Sequence, residues 1–170
     1  ADEIPAPAGS PRQEGLVGLL PGSRPKEAAR VMPVLAGAAE ILARTRPGLH
    51  FVVAPGPAVP AETVQGFPTS SARELMREAS LLLLASGTAT LEAAFYGTPM
   101  VVVYKVSPAT AVMGRMLMKL KEFSLANILS GGGTVPECIQ GKATPACVAS
   151  EALALLDDPA RRQAMSKRLG

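Results

Sequence analysis

Short runs that are apolar at nearly every position alternate with longer amphipathic stretches, and this alternation limits the fold more than any other feature of the chain. The runs are Leu16 to Leu20, Phe51 to Ala54, Leu81 to Ala85 and Met100 to Tyr104. Continuous apolar runs of this length read as strands buried on both faces, whereas a half-exposed strand would alternate. Between them lie helical stretches at Pro25 to Thr45, Ala72 to Glu78 and Thr88 to Tyr96. Strands that alternate with helices build a parallel sheet covered by helices on both sides. A weaker apolar signal at Thr63 to Phe67 supplies one more strand. The expected architecture is a Rossmann-like, doubly wound parallel sheet in which the first strand lies between the second and the fourth, with the third outside the second.

The remainder of the chain is read around that core. The opening ADEIPAPAGSPRQE, residues 1–14, holds three Pro and no periodicity, and reads as a linker or disordered terminus before a domain spanning 15–170. A chain of 170 residues has room for one domain of ordinary size. Beyond Pro108 a basic, Met-rich helix is expected to about Lys121, followed by an irregular Gly-rich segment to Gln140. Two closing helices follow, Pro145 to Leu156 and Pro159 to Leu169. No apolar run approaches the roughly 20 residues that cross a bilayer, and no signal peptide opens the sequence, so a cytoplasmic location is expected. An opening Ala1 in place of Met reads as a piece of a longer chain or a processed product.

Composition excludes several functions. Net charge is +3, and the aromatics are four Phe and two Tyr with no basic cluster beside them, which does not suit nucleic-acid binding. Cys138 and Cys147 have no Cys or His partner at metal-ligand spacing, so they read as free thiols. His50, the one histidine, opens a strand with no nucleophile beside it and reads as structural. Asp157 and Asp158 precede Pro159 and read as helix caps. No metal site is expected.

Two strand-to-helix turns carry the chemistry. After the first strand, Pro21-Gly22-Ser23-Arg24 leads into a helix, a geometry that turns backbone N–H groups outward toward an anion, with the forked cation of Arg24 beside them. The other reading is an ordinary turn with a surface arginine. After the run Leu81 to Ala85, Ser86-Gly87-Thr88 opens the next helix, and its hydroxyls and first-turn amides form a phosphate cradle. Glu92 stands one helical turn, about 6 Å, beyond Thr88. A carboxylate there would repel phosphate but accept from both hydroxyls of a ribose. The alternative is a capping hydroxyl at Ser86 or Thr88 with Glu92 solvated. In a doubly wound sheet the two turns follow neighbouring strands and face each other where such folds bind ligands. Neither a GxGxxG fingerprint nor a Walker A loop is present, which removes dehydrogenase and kinase readings.

The segments LLPGSR (Leu19 to Arg24), LLASGTATLE (Leu83 to Glu92), PMVVVYK (Pro99 to Lys105), SLANIL (Ser124 to Leu129) and PECIQ (Pro136 to Gln140) closely resemble, in order and spacing, the C-terminal half of the lipid-A-disaccharide synthase family. The resemblance runs from about Leu16 to the end of the chain. It implies the C-terminal, UDP-sugar-binding domain of an inverting GT-B glycosyltransferase. That enzyme joins UDP-diacylglucosamine to a diacylglucosamine 1-phosphate acceptor and releases UDP. On this footing Gly22, Ser23, Arg24, Ser86, Gly87, Thr88 and Lys105 would hold the diphosphate, with Arg24 stabilising charge as UDP leaves. Glu92 would hold the ribose, the backbone near Phe67 would meet uracil, and Asn127 would contact the donor at the catalytic centre. No cofactor beyond the donor is implied.

The family's N-terminal domain, with the acceptor pocket and the catalytic base, has no counterpart in these residues, so this chain alone is not expected to complete the reaction. Association with the inner face of the cytoplasmic membrane is also implied, and the segment Pro108 to Phe123, with Arg115 and Lys119 opposite an apolar face, is the candidate contact. Where the family usually reads SLPNILAGR, this sequence has Ala126, Ser130 and Gly132, followed by Gly133, which implies a more flexible loop lacking one basic contact. Two other classes remain at this point. One is a non-catalytic donor-binding subunit of a two-chain glycosyltransferase, and the other a GT-B relative such as a peptidoglycan transferase or a UDP-sugar epimerase.

Overall fold

The computed structural model describes residues 12–107, 124–130 and 132–169. Strand β1 (Gln13–Leu20) leads into helix α1 (Pro25–Thr45), which returns the chain to β2 (His50–Val53). A 3-10 turn (Ala61–Val64) and helix α2 (Ala72–Glu78) precede β3 (Ala79–Ala85), α3 (Thr88–Phe95) and β4 (Met100–Tyr104). Helix α4 (Leu125–Leu129), strand β5 (Glu137–Ile139), a second 3-10 turn (Gln140–Lys142) and helices α5 (Pro145–Leu156) and α6 (Pro159–Leu169) complete the described chain.

The strands form one parallel sheet in the order β2-β1-β3-β4-β5. Every residue of β3 is buried, as its unbroken apolar sequence requires of a central strand. Helix α1 buries Val31, Leu35, Ala38 and Leu42, one stripe at helical spacing, onto one face of the sheet. Helix α5 packs beside it, and Pro145 sits so close to Gly37 that a Cβ there would come within 2.8 Å of Pro145 Cγ. Helices α2 and α3 cover the opposite face. Gly18, in mid-strand, leaves room for Leu82 of β3 and Leu75 of α2: a Cβ there would lie 2.6 Å from Leu82 Cδ2 and 3.3 Å from Leu75 Cβ. Full burial of each such leucine stabilises the fold by about 2 kcal/mol. Among the described residues no helix is long and apolar enough to cross a membrane.

The doubly wound plan and the adjacency of the first strand to the Leu81 strand stand as expected, but the edges differ. Thr63 to Phe67 is not a strand. The segment turns through the 3-10 helix, Gly66 adopts φ +92°, and Pro60 and Pro68 flank it, so no ladder can propagate. What remains of a third strand is a single parallel bridge between Val53 and Thr69. At the other edge β5 forms inside the segment expected to be irregular, pairing Glu137, Cys138 and Ile139 with Val102, Val103 and Tyr104.

The first strand also begins earlier than Gly15. Gln13 pairs with Ala79, the register slips before Val17, and Gly15 takes up the slip at φ +82°. Arg12 is fixed as well, its guanidinium donating to the carbonyls of Met76, Arg77, Ala79 and Tyr96. Residues 12–14 therefore belong to the domain rather than to the linker. The expected helix from Pro108 to Lys121, with Arg115 and Lys119, lies outside the described residues. Asp158 caps α6 by accepting from the Arg161 N–H at 2.9 Å, whereas Asp157 ends α5 and pairs with Arg46. Gly132 and Gly133 both adopt positive φ, +94° and +63°.

Candidate functional site

Parallel strands end on the same side, so the turns after β1 and β3 emerge together: Leu20 is in register with Leu84. From β1 the chain winds to β2 on one side and reaches β3 on the other, which makes the β1/β3 gap the switch point and opens a crevice above it. His50 opens β2 at the opposite end of the sheet and is exposed.

The turn after β1 is tightly built. Gly22 takes φ +108°, and a Cβ on it would stand 2.3 Å from Glu27 Oε2. On its other side Gly56, from the loop after β2, lies so close that a Cβ there would stand 2.4 Å from Ser23 Cα. Arg24 occupies the N-cap of α1 with extended backbone and no capping side chain, and its carbonyl accepts from the Glu27 and Ala28 N–H groups at 3.1 and 2.9 Å. The reciprocal contact comes from Glu27, whose carboxylate accepts from the Arg24 and Ser23 backbone N–H groups. Burial pushes the Glu27 carboxyl above the usual carboxylate range, against the smaller opposing pulls of the Arg24 charge and those two N–H groups. Two of the amides expected to face an anion thus already hold a carboxylate of the chain itself. Ser23 and Arg24 are exposed at the crevice.

The turn after β3 is open. Ser86 N–H donates to the Val103 carbonyl at 2.9 Å, which fixes where the turn leaves the sheet. The N-cap of α3 is Gly87, with extended φ and no side-chain cap, so neither Ser86 nor Thr88 serves as the cap. Thr90 closes the first turn by donating its N–H and Oγ1 to the Gly87 carbonyl at 3.0 and 2.7 Å. Gly87 and Thr88 are exposed, and a Cβ on Gly87 would meet nothing within 4 Å. Glu92 is exposed one turn further along.

Three further expected site residues lie outside these two turns. Asn127 is 3% exposed: its Nδ2 donates to the Val135 carbonyl and to Glu137 Oε1, both at 2.8 Å, and its Oδ1 accepts from the Val135 N–H at 2.8 Å. Both amide protons are committed to fastening α4 to the start of β5. Phe67 lines a 410 Å³ cavity with Ala29, Met32, Pro33 and Ala36 of α1, and the end of the residual third strand has moved on to Thr69. Lys105 Nζ reaches the Ala143 carbonyl at 3.5 Å, in the connection between β5 and α5. An ammonium has three donors, so this contact does not exhaust it.

Two contributors escaped the sequence reading. Glu27 had a legible signal, an acid three residues past a strand-to-helix junction with Pro25 at the first helical position. Gly56 had none, because its role depends on how a Pro/Gly-rich loop folds back across the sheet. Among the described residues no group of three or more His, Cys, Asp or Glu side chains could hold a metal ion.

Comparison with known proteins agrees with this architecture. The crystal structure of TarM superimposes with a TM-score of 0.64 at 12% identity, covering 98% of this chain and 33% of that one. The calicheamicin glycosyltransferase CalG4 gives 0.58 at 18% identity, over 96% of this chain and 40% of that one. A putative UDP-N-acetylglucosamine 2-epimerase from Listeria monocytogenes gives 0.58 at 15%, over 94% and 40%. At such identities the likeness is one of fold, the Rossmann-like half of a GT-B structure.

In sequence, lipid-A-disaccharide synthase of Persephonella marina is 38% identical over 166 residues, 89% of this chain and 44% of the relative. The enzyme of Nitrosococcus oceani is 39% identical over 163 residues, 89% of this chain and 42% of the relative. The chain thus spans less than half the length of these curated relatives. The family described as lipid-A-disaccharide synthetase matches residues 7–169. With that match over nearly its whole length, the chain belongs to the lipid-A-disaccharide synthetase family.

Proposed function

We propose that this chain is the donor-binding half of a lipid-A-disaccharide synthase and that it binds the UDP moiety of UDP-diacylglucosamine in the crevice above β1 and β3. The observation that carries the reading is the facing pair of strand-to-helix turns at the switch point, one carrying Arg24 and the other an uncapped helix start at Gly87. The diphosphate lies between Gly22–Ser23–Arg24 and the first-turn amides of α3, where N–H dipoles and the guanidinium favour negative charge. Glu92 accepts from the ribose hydroxyls. Uracil meets the backbone at the end of the residual third strand, around Thr69, in place of Phe67.

In the transfer, the bond between the sugar anomeric carbon and the β-phosphate oxygen breaks as the acceptor hydroxyl attacks from the opposite side. The electron pair of the broken bond stays on UDP, where Arg24 and the helix start stabilise it, so no metal is required. The diacylglucosamine 1-phosphate acceptor and the base that takes its proton belong to the part of the family's length that this chain does not span. Contact with the inner face of the cytoplasmic membrane, where both acylated sugars reside, is part of the same proposal.

Titration with UDP in the presence of a chelator, followed by backbone amide NMR, tests it. Saturable shifts in residues 22–24 and 86–92 are expected. A folded sample that shows none at millimolar UDP overturns the proposal, and shifts that require an added divalent cation overturn its metal-free part.

A further inference from the structure

Cys138 lies on β5, completely buried, with its neighbour Val103 on β4. Cys147 lies in the first turn of α5 and is half-buried, its N–H donating to the Thr144 hydroxyl that caps the helix. Although nine residues apart in sequence, their sulfurs stand 3.0 Å from each other, and both are free thiols. A disulfide needs an S–S distance of about 2.05 Å, so bonding requires a movement of about 1 Å. The connection between the two residues, Gln140 to Thr144, makes other contacts that matter: Gln140 Oε1 accepts from the Val106 N–H at 2.8 Å, and the Ala143 carbonyl accepts from Lys105 Nζ.

We propose that Cys138 and Cys147 are a covalent modification site, a dithiol that closes reversibly to an intramolecular disulfide and clamps the edge strand β5 to the start of α5. The oxidant class is a small-molecule disulfide. The thiolate of Cys147, the more accessible sulfur, attacks one sulfur of that disulfide, forming a mixed disulfide and expelling one thiolate, which takes up a proton. Cys138 then loses its proton and attacks Cys147 Sγ, forming the protein disulfide and expelling the second thiolate, which is likewise protonated. Two protein thiols are oxidised by two electrons in all, and one small disulfide is reduced to two thiols. Burial, followed by the hydrogen bond and charge of Cys147 and the charge of Glu151, pushes the Cys138 thiol up, which keeps its thiolate scarce, so closure speeds up as pH rises. The groups facing Cys138 on its neighbouring elements are thus Cys147 and Glu151, both on α5. The clamp holds in place the connection to which Lys105 and Val106 are fastened, on the flank of the crevice.

The test is incubation of the protein with oxidised glutathione, then thiol titration, intact mass and thermal unfolding. Loss of both thiols with a mass lower by two hydrogens, no adduct, a higher Tm and full reversal by dithiothreitol is the expected result. The C138S variant should trap one glutathione on Cys147, and C147S, altered at a half-buried position, should remain unmodified under the same conditions. Persistence of both thiols in the folded wild-type protein, or a stable glutathione adduct with no intramolecular bond, overturns the proposal. These readouts do not involve UDP, so the clamp and the donor-binding proposal fail separately.

Discussion

The two turns that wall the crevice are built in opposite ways. The β1 turn is locked: Gly22 is held at φ +108° between the Glu27 carboxylate and the Gly56 backbone, and its exposed side chains, Ser23 and Arg24, hang from a frame with no slack. At the β3 turn Gly87 is unconstrained among the described residues: it adopts a backbone any residue could take, and a Cβ there meets no atom within 4 Å. A glycine required by the protein's own packing and a glycine facing open space imply different constraints. The first serves the shape of the chain and the second serves whatever approaches it. On the donor-binding proposal, this contrast makes the β1 turn the fixed wall of the crevice and the β3 turn the wall with room beside it.

The sharpest way to break that contrast is Gly56→Val. Its Cβ would meet backbone, which cannot swing aside as a side-chain end can, so the β1 turn or the β2 loop must move. Overpacking of this kind costs about 1–3 kcal/mol, and in a chain of this size each kcal/mol lowers Tm by roughly 2–4 °C. Thermal unfolding of the variant should show that loss. An unchanged Tm would mean the turn is not locked.

Next in size is the paired substitution Gly22→Ala and Gly87→Ala. The first forces a left-handed backbone on alanine and pushes against Glu27, at a cost of about 1–3 kcal/mol. The second should leave stability within about 0.5 kcal/mol of the parent while weakening UDP, because the added methyl projects into the space assigned to the diphosphate. Equal Tm losses in the two, or unaltered UDP binding by Gly87→Ala, would erase the distinction between the turns.

Glu92→Gln probes the β3 side more finely. If Glu92 accepts from both ribose hydroxyls, its replacement by a neutral amide should weaken UDP by about 1–2 kcal/mol more than it weakens the 2′,3′-dideoxy analogue. Calorimetry with the two ligands decides it. Equal losses would leave Glu92 as a solvated helix acid.

The centre of this molecule was more legible than its rim. Unbroken apolar runs, as in Leu81 to Ala85, leave only a buried strand as an interpretation, and with four such runs the neighbouring positions of β1 and β3 follow from winding rules alone. The edge strands carry no such signal. Glu137–Ile139 is a strand because β4 offers it an unpaired edge, and Thr63 to Phe67 fails to be one because Gly66 and the flanking prolines bend it away. Site residues divide along the same line. Arg24 and Gly87 sit in turns, and Glu92 on the helix that follows, all placed by the neighbouring strand and helix. Asn127 is fixed by contacts with Val135 and Glu137, which no local pattern announces.

The smallest effect expected concerns Glu27, the carboxylate that occupies the amides of the locked turn. Its carboxyl is raised in the folded protein, chiefly by burial, so between the ordinary glutamate range and the raised value the folded state holds more proton than the unfolded one. By linkage the contribution of this group to stability is greatest below that window and falls as pH rises through it. Glu27→Gln cannot titrate, so its stability relative to the parent should improve across the same window, a shift that thermal unfolding at a series of pH values can follow. The same substitution separates two roles for the carboxylate at neutral pH. If it is only a strut for Ser23 and Arg24, the neutral amide supports the turn less well and UDP weakens together with stability. If it stands where phosphate must lie, removing its charge relieves repulsion, and UDP should tighten roughly twofold to fivefold, a few tenths of a kcal/mol up to about 1, while uridine, which lacks phosphate, is unaffected. The second outcome is expected, because the carboxylate lies against Gly22 and accepts from the very amides that the open side of the crevice faces. Parallel changes for UDP and uridine would reduce Glu27 to a strut.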